Sequence, residues 1–153
     1  MIRAMQPADI PHAAAWIPCV PLWERYGVTE AQIRTQLEQA FEHNDLLLVH
    51  DQDGEANGIV WCLPRGAFGR SAYIRLLGVR NGSTGAGIGA ALLAETEKRI
   101  RETCRELFLL VSDFNHSAQR FYQQQGYKQA GALPGYVLPN VTELIFWKSL
   151  HTD

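Results

Sequence analysis

The stretch AYIRLLGVRNGSTGAGIG, Ala72 to Gly89, decides how this chain folds. Its first part, Ala72 to Val79, is an apolar strand with Arg75 in the middle. Its second part places glycines at 82, 85, 87 and 89 in one turn. Beyond the turn Ile88, Leu92, Thr96 and Ile100 form a single stripe, which predicts a helix from about Gly87 to Thr103. Leu107-Phe108-Leu109-Leu110-Val111 then runs apolar without alternation, as expected of a central strand covered on both faces. Two strands joined by one helix make a right-handed parallel crossover.

Outward from this unit the connections are of hairpin length. Ile2 to Met5 reads as a short first strand. A helix starts at Pro7-Ala8-Asp9-Ile10-Pro11, because proline is tolerated in a first turn, and it stops near Pro18 and Pro21. Thr29-Glu30-Ala31-Gln32 has capping-box spacing, and Ile33, Leu37 and Phe41 behind it predict a second amphipathic helix. Leu46 to Val49 and Asn57 to Leu63 are strands joined by a turn at Asp51 to Glu55 around Gly54. Pro64 to Gly69 reads as a loop. After the central strand, Ala118, Phe121 and Tyr122 line a helix ended by Gly126. Tyr127 to Ala132 and Thr142 to Trp147 close the chain as strands. The order β-α-α-β-β-β-α-β-α-β-β describes an α/β (α+β) protein with a mixed sheet and helices on both faces, not a doubly wound dinucleotide fold.

The chain has 153 residues, 46% hydrophobic and 20% charged, with 14 basic and 16 acidic side chains. That suits one globular domain, residues 1–153, able to bury a core without metal or disulfide. A net charge of −2 gives no sign of a nucleic-acid partner. Cys19, Cys62 and Cys104 are scattered and form no C-x-x-C, so no metal site is proposed and free thiols in a reducing compartment are expected. Apolar runs of five or six residues fall far short of the ~20 that cross a bilayer, and Met1 to Pro11 lacks an apolar leader segment. No membrane partner and a cytoplasmic location are the expectations.

The glycine turn lets backbone N–H groups converge at a helix start, where the dipole favours an anion such as a phosphate. It is no P-loop, since no Lys-Ser/Thr pair follows. Asn115-His116-Ser117-Ala118-Gln119-Arg120-Phe121-Tyr122-Gln123-Gln124-Gln125-Gly126-Tyr127 is the second signal. It resembles the N-x-x-A-x-x-(F/L)-Y-x-x-x-G-(F/Y) segment of the GCN5-related N-acetyltransferase (GNAT) superfamily. Thr84 to Gly89 resembles that family's acetyl-CoA loop, (Q/R)-x-x-G-x-(G/A). The two stand in the family's order, and the resemblance covers essentially the whole chain.

The resemblance implies a mostly antiparallel seven-stranded sheet whose fourth and fifth strands are a splayed parallel pair. It implies acetyl-CoA as acyl donor, with coenzyme A as product. Backbone groups of Leu77 and Val79 would pair with pantetheine, and amides of Thr84, Gly85, Ala86, Gly87, Ile88 and Gly89 would hold the pyrophosphate. Asn115 would bond the pantetheine arm, and Tyr122 would stand near the sulfur. The first motif position is Thr84 rather than Gln or Arg, which implies weaker cofactor binding; Arg80 is either a partial substitute or a solvated loop charge.

Acetyl transfer to an amine needs a neutral amine, a polarised carbonyl and a protonated leaving thiolate. The Tyr122 hydroxyl would be the general acid, and a backbone N–H near Val79 would stabilise the oxyanion. The glutamates that two branches of the family use fall here at Tyr73 and Leu110, so neither branch's substrate is favoured. His12, Tyr73, Asp113, His116 and Glu143 remain as candidate bases. Trp16, Trp23, Tyr26, Trp61, Phe68, Tyr73 and Tyr136 make the acceptor side aromatic, with Trp61 and Trp147 expected as core. Glu24 and Glu30 are too few for the acidic cluster that a polycationic acceptor rewards. Direct transfer to a primary amine of a small molecule leads, with a protein or peptide acceptor and a non-catalytic acyl-CoA-binding module as alternatives. Apolar residues in the late loops, Phe114, Leu133, Tyr136, Val137 and Leu138, suggest a homodimer.

Overall fold

A computed structural model describes residues 1–83 and 87–151. Seven strands form one sheet in the order β1-β2-β3-β4-β5-β7-β6. In chain order the elements are β1 (Ile2–Ala4), α1 (Asp9–Trp16), a 3₁₀ turn (Ile17–Cys19), α2 (Pro21–Arg25), α3 (Glu30–Glu42), β2 (Leu46–Gln52) and β3 (Glu55–Ala67). There follow β4 (Ser71–Val79), α4 (Ile88–Ile100), β5 (Glu106–Ser112), α5 (His116–Gln124), β6 (Lys128–Pro134) and β7 (Thr142–Ser149). Strands β4 and β5 run parallel and the other recorded pairings are antiparallel. The mixed sheet with a parallel pair at its centre is the expected one. Two compact units divide the chain: Met1–Cys62 with Leu76–Thr96, and Leu63–Arg75 with the residues from Glu97 on.

In the first unit β1 and β3 flank β2. The β2–β3 hairpin turns on Asp53 and Gly54, at φ 55° and 86°, the pair of positive angles that a two-residue turn matching strand twist requires. Asp51 Oδ1 accepts the Gly54 N–H at 2.8 Å and stiffens it. Leu48, Val49, Ile59 and Val60 are fully buried, as are Ala13, Ile17 and Leu37 of the helical segment and Leu92 of α4. Thr29 caps α3 through Gln32, as the sequence predicts. Its buried residues are Ile33, Leu37 and Ala40. Phe41, expected in that stripe, is 39% exposed, because the inward face follows the 33-37-40 spacing. Helix α2 is an addition to the expected order: Pro21 opens a helical turn after extended Val20 rather than only closing the preceding one.

Arg3 ties this unit's first strand down. Its guanidinium donates to both Asp9 oxygens at 2.8 and 2.9 Å and to Asp51 at 2.7 Å. The Arg3 hydrogen bond holds the Asp9 carboxyl below its ordinary pKa, against the opposing cost of burial. A lowered folded-state pKa means the stabilisation is present above the ordinary carboxylate value and lost as pH falls through the folded one. Asp9→Asn should therefore cost about 2 kcal/mol at neutral pH. Thermal melts should show a drop of roughly 5 °C at pH 7 that shrinks as pH falls below about 4.

In the second unit β5 pairs β7 along its length, from Glu106↔Ser149 to Ser112↔Glu143, and β6 pairs the other edge of β7. Residues 64–67, expected as loop, continue β3, and the turn is only Phe68-Gly69, at φ 59° and 68°. The last β2 partner of β3 is Cys62, so Pro64 forfeits no ladder bond to β2. β5 is fully buried on one face only: Leu107, Leu109 and Val111 are buried, while Phe108 and Leu110 are half-buried. Phe108 instead meets Trp147, stacked at 6.1 Å, and Phe68, edge-on at 5.4 Å. Trp147 is thus half-buried rather than core, whereas Trp61 is buried with its Nε1 on Asp45. Cys62 and Cys104 are buried and Cys19 is exposed, all as free thiols. No described helix is long and apolar enough to cross a membrane.

Candidate active site

Ladder pairing between β4 and β5 covers three residue pairs and ends at Ile74↔Leu109. β4 continues for five residues, 75–79, with no recorded β5 partner. Leu77 and Val79 are half-buried there. Gly78 between them lies under the Trp23 ring of α2, and a Cβ at 78 would overlap Cη2 and Cζ3 of that ring. The glycine is required by this close approach. Gly78→Ala should therefore displace Trp23 and cost about 2 kcal/mol, read as a fall in Tm of roughly 6 °C. Trp23→Leu in the same background should recover part of it.

After β4 the Arg80 N–H donates to Asn57 O at 2.8 Å, and Ser83 N–H closes a turn on Arg80 O. Gly82 takes φ 90° in that turn. Thr84, Gly85 and Ala86 lie outside the described residues. Gly87 has φ 72° and its carbonyl accepts the Ala91 N–H at 3.0 Å, so it caps α4. The N–H groups of Ile88 and Gly89 open a 13-residue helix, where no intrahelical acceptor exists and the dipole is positive. The Ile88 side chain turns into the core against Gly58, where an added Cβ would stand 2.8 Å from its Cγ2. The glycine turn thus ends in backbone N–H groups that lack an intrahelical acceptor. Arg80 is not a free counter-charge: it donates to Asn57 Oδ1 at 3.3 Å and to Glu55 at 3.5 Å. Beside it lies a cavity of about 240 Å³ lined by His12, Ala15, Trp16, Cys19, Arg80 and Asn81.

In the second unit Asn115 is the N-cap of α5. Its Oδ1 accepts the Ala118 N–H and the Ser117 hydroxyl, both at 3.2 Å. Among the described residues its Nδ2 has no recorded acceptor, which leaves an amide donor at the helix mouth. Tyr122 sits in the last turn of α5, half-buried, with Phe121 at 5.1 Å and Tyr127 at 5.7 Å between ring centroids. Burial pushes its hydroxyl pKa above that of a free phenol, so the group stays protonated at neutral pH. Ala118, Phe121 and Tyr122 line α5 as expected, although no residue of this helix is fully buried.

The candidate bases are divided between the two units. His12 Nε2 lies 3.4 Å from Asn57 Oδ1 in the first unit. Asp113 is exposed and accepts the Thr142 N–H, and His116 is an exposed first-turn residue. Tyr73 is held above its ordinary pKa by burial, opposed by Arg75 and reinforced by Tyr136 and Glu143. Tyr73, Arg75, Tyr136 and buried Glu143 therefore share one electrostatic environment within the second unit. Of the expected acceptor aromatics, Trp16 is buried with its Nε1 on Ala56 O, and Trp61 is core. Trp23 and Tyr26 are half-buried, while Phe68 and Tyr136 are 80% and 63% exposed. Glu24 and Glu30 are exposed. No group of three or more His, Cys, Asp or Glu among the described residues is placed to hold a metal.

Residues 12–127 match the model of the Acetyltransferase (GNAT) family. The chain belongs to that family. The chain is similar to blasticidin-S acetyltransferase of Streptomyces morookaense, 36% identical over 78 residues, or 51% of this chain. The match spans 57% of that relative's length. Among solved structures, ribosomal-protein-alanine N-acetyltransferase from Brucella melitensis superposes with a TM-score of 0.81 at 23% identity, over 97% of this chain and 99% of that one. An aminoglycoside 6'-N-acetyltransferase complexed with coenzyme A superposes with a TM-score of 0.83 at 14% identity, over 100% and 98%. These likenesses establish the GNAT fold.

Sequence reasoning missed the Trp23–Gly78 contact and the ion pair of Glu97 with Lys148, at 2.8 Å. The first had one signal, a glycine inside an otherwise apolar strand. The second had none, since an isolated Glu on a helix and a Lys near the end of the chain read as surface.

Proposed function

We propose that this chain is an N-acetyltransferase that moves the acetyl group of acetyl-CoA directly to a primary amine of a small molecule, using residues 1–153 as one domain. The observation that carries it is the Tyr122 hydroxyl: half-buried, kept protonated, and on a helix whose Asn115 cap keeps an amide donor in hand. A pure acyl-CoA binder needs no such proton donor. The described residues fit the cofactor's chemistry. The α4 start offers amides of Gly87, Ile88 and Gly89 to a pyrophosphate, and Thr84, Gly85 and Ala86 would extend that cradle. Leu77 and Val79 lie beyond the last β4–β5 pair, so their backbone groups are the ones a pantetheine amide chain would meet.

Bound acetyl-CoA supplies an activated thioester carbonyl. In this reading Tyr122 Oη would supply the proton for the departing sulfur, and a backbone N–H near Val79 would stabilise the charge growing on the carbonyl oxygen. Asn115 Nδ2 would donate to the pantetheine arm. A small acceptor is favoured because the relative matched at 36% identity is named for blasticidin S rather than for a protein. Half-buried Trp23 and Tyr26 would stack an apolar part of such an acceptor. Exposed Tyr136 and Val137 support pairing of two copies, for which light scattering should return twice the monomer mass.

Thiol release from acetyl-CoA against a panel of small amines and N-terminal peptides tests the reading. Turnover with small amines is expected. Turnover confined to peptides would move the acceptor class, and binding of acetyl-CoA without any thiol release would leave a binding module.

A further inference from the structure

Helix α5 ends in a Schellman cap, and the residue that closes it is pinned by a part-buried ion pair. Gly126, at φ 93°, donates to Gln123 O at 3.0 Å, and the Tyr127 N–H donates to Tyr122 O at 2.9 Å. The accompanying ring contact in this motif joins the residues at its two ends, here Tyr122 and Tyr127, edge-on at 5.7 Å. Tyr127 is thus attached twice to Tyr122, through backbone and through ring. It is only 2% exposed, and its hydroxyl donates to Glu97 Oε2 at 2.9 Å. Lys148 Nζ donates to Glu97 Oε1 and to the Gln125 carbonyl, both at 2.8 Å, and lies 5.6 Å from the Tyr127 ring centroid.

A buried carboxylate paired with a part-buried ammonium adds little net stability, because the lost hydration offsets much of their attraction. Their effect here is geometric. Glu97 on α4 and Lys148 on β7 grip both sides of the α5 terminus, one through the Tyr127 hydroxyl and one through the Gln125 carbonyl. We infer that Glu97, Tyr127 and Lys148 are positioning residues that hold Tyr122 in the orientation its proton transfer needs. The inference rests on the reading of Tyr122 as the proton donor to the thiolate.

Lys148→Met alone leaves the Glu97 carboxylate buried without its ammonium partner and is a poor probe, because it is expected to unfold. The neutral pair E97Q/K148M keeps both shapes and removes both charges, and Y127F keeps the ring while removing its hydroxyl. In the folded E97Q/K148M protein kcat should fall at least about fivefold, with the KM for acetyl-CoA within about twofold. Y127F should show a smaller fall of the same kind, and K148R should restore kcat. The deciding measurement repeats E97Q/K148M in a Y122F background, where no further loss in kcat is expected. An equal loss in both backgrounds, or unchanged kcat in folded E97Q/K148M, would overturn the positioning role while leaving an impaired Y122F to support the acid. Full kcat in Y122F alone would remove the acid and this inference together.

Discussion

Replacing Tyr122 with phenylalanine should lower kcat at least about tenfold while the acetyl-CoA Kd moves less than about threefold. The interaction at stake exists only when the carbon–sulfur bond breaks, so it belongs to the transition state and not to binding. Loss of a general acid typically costs about 10²–10⁴-fold, and a water molecule entering the vacated space would recover part of that. Phenylalanine keeps the ring contacts with Phe121 and Tyr127, which isolates the hydroxyl. Burial raises the hydroxyl pKa above the ordinary phenol value. Tyr122 therefore remains protonated through neutral and mildly alkaline pH, and the wild-type to Y122F ratio of kcat should be nearly constant from about pH 6 to 9. A ratio that collapses within that window, or full kcat in the variant, would return Tyr122 to a packing role.

Gly87→Val should weaken acetyl-CoA binding at least about tenfold, equivalent to about 1.4 kcal/mol, by calorimetry. Two causes act together. Gly87 takes φ 72°, a conformation that a β-branched residue adopts only under strain. Its position at the cap of α4 also places any side chain among the amides proposed to hold the pyrophosphate. Among the described residues no heavy atom outside its immediate chain neighbours lies within 4 Å of a Cβ built at 87, so the substitution meets no core packing there. The backbone strain should lower the melting temperature as well, by roughly 5 °C, so the affinity is read well below the melting range of the folded variant. Unchanged affinity in the folded variant would remove the anion site from this turn.

The elements that carry these two predictions were readable as local patterns. The strand, glycine turn and helix from Ala72 onward follow from apolar periodicity and turn chemistry within about a dozen residues of each other. The Asn115 cap, the Thr29–Gln32 capping box and the Gly126 stop are likewise decided by near neighbours. Where reading the chain locally fell short, a distant partner had intervened. Pro64 looks like a loop residue, yet it extends β3 because β2 has already ended opposite Cys62. Phe41 has helical spacing for burial, yet Ala40 takes the inward position. Phe108 belongs to an apolar run, yet it is only half-buried because its neighbours are the rings of an exposed turn and of β7.

The amino-acid order by itself determined the parallel crossover, the glycine-lined helix start and the Asn115-to-Tyr127 segment, because dihedral preference and periodicity act between adjacent residues. Only the tertiary structure decided that Trp23 covers Gly78 and that Glu97, Tyr127 and Lys148 meet around the end of α5. Glu97 and Lys148 stand 51 positions apart, and neither residue type nor spacing marks them as partners. Burial, desolvation and charge pairing are properties of what surrounds a side chain in space, and that surrounding exists only once the strands have assembled.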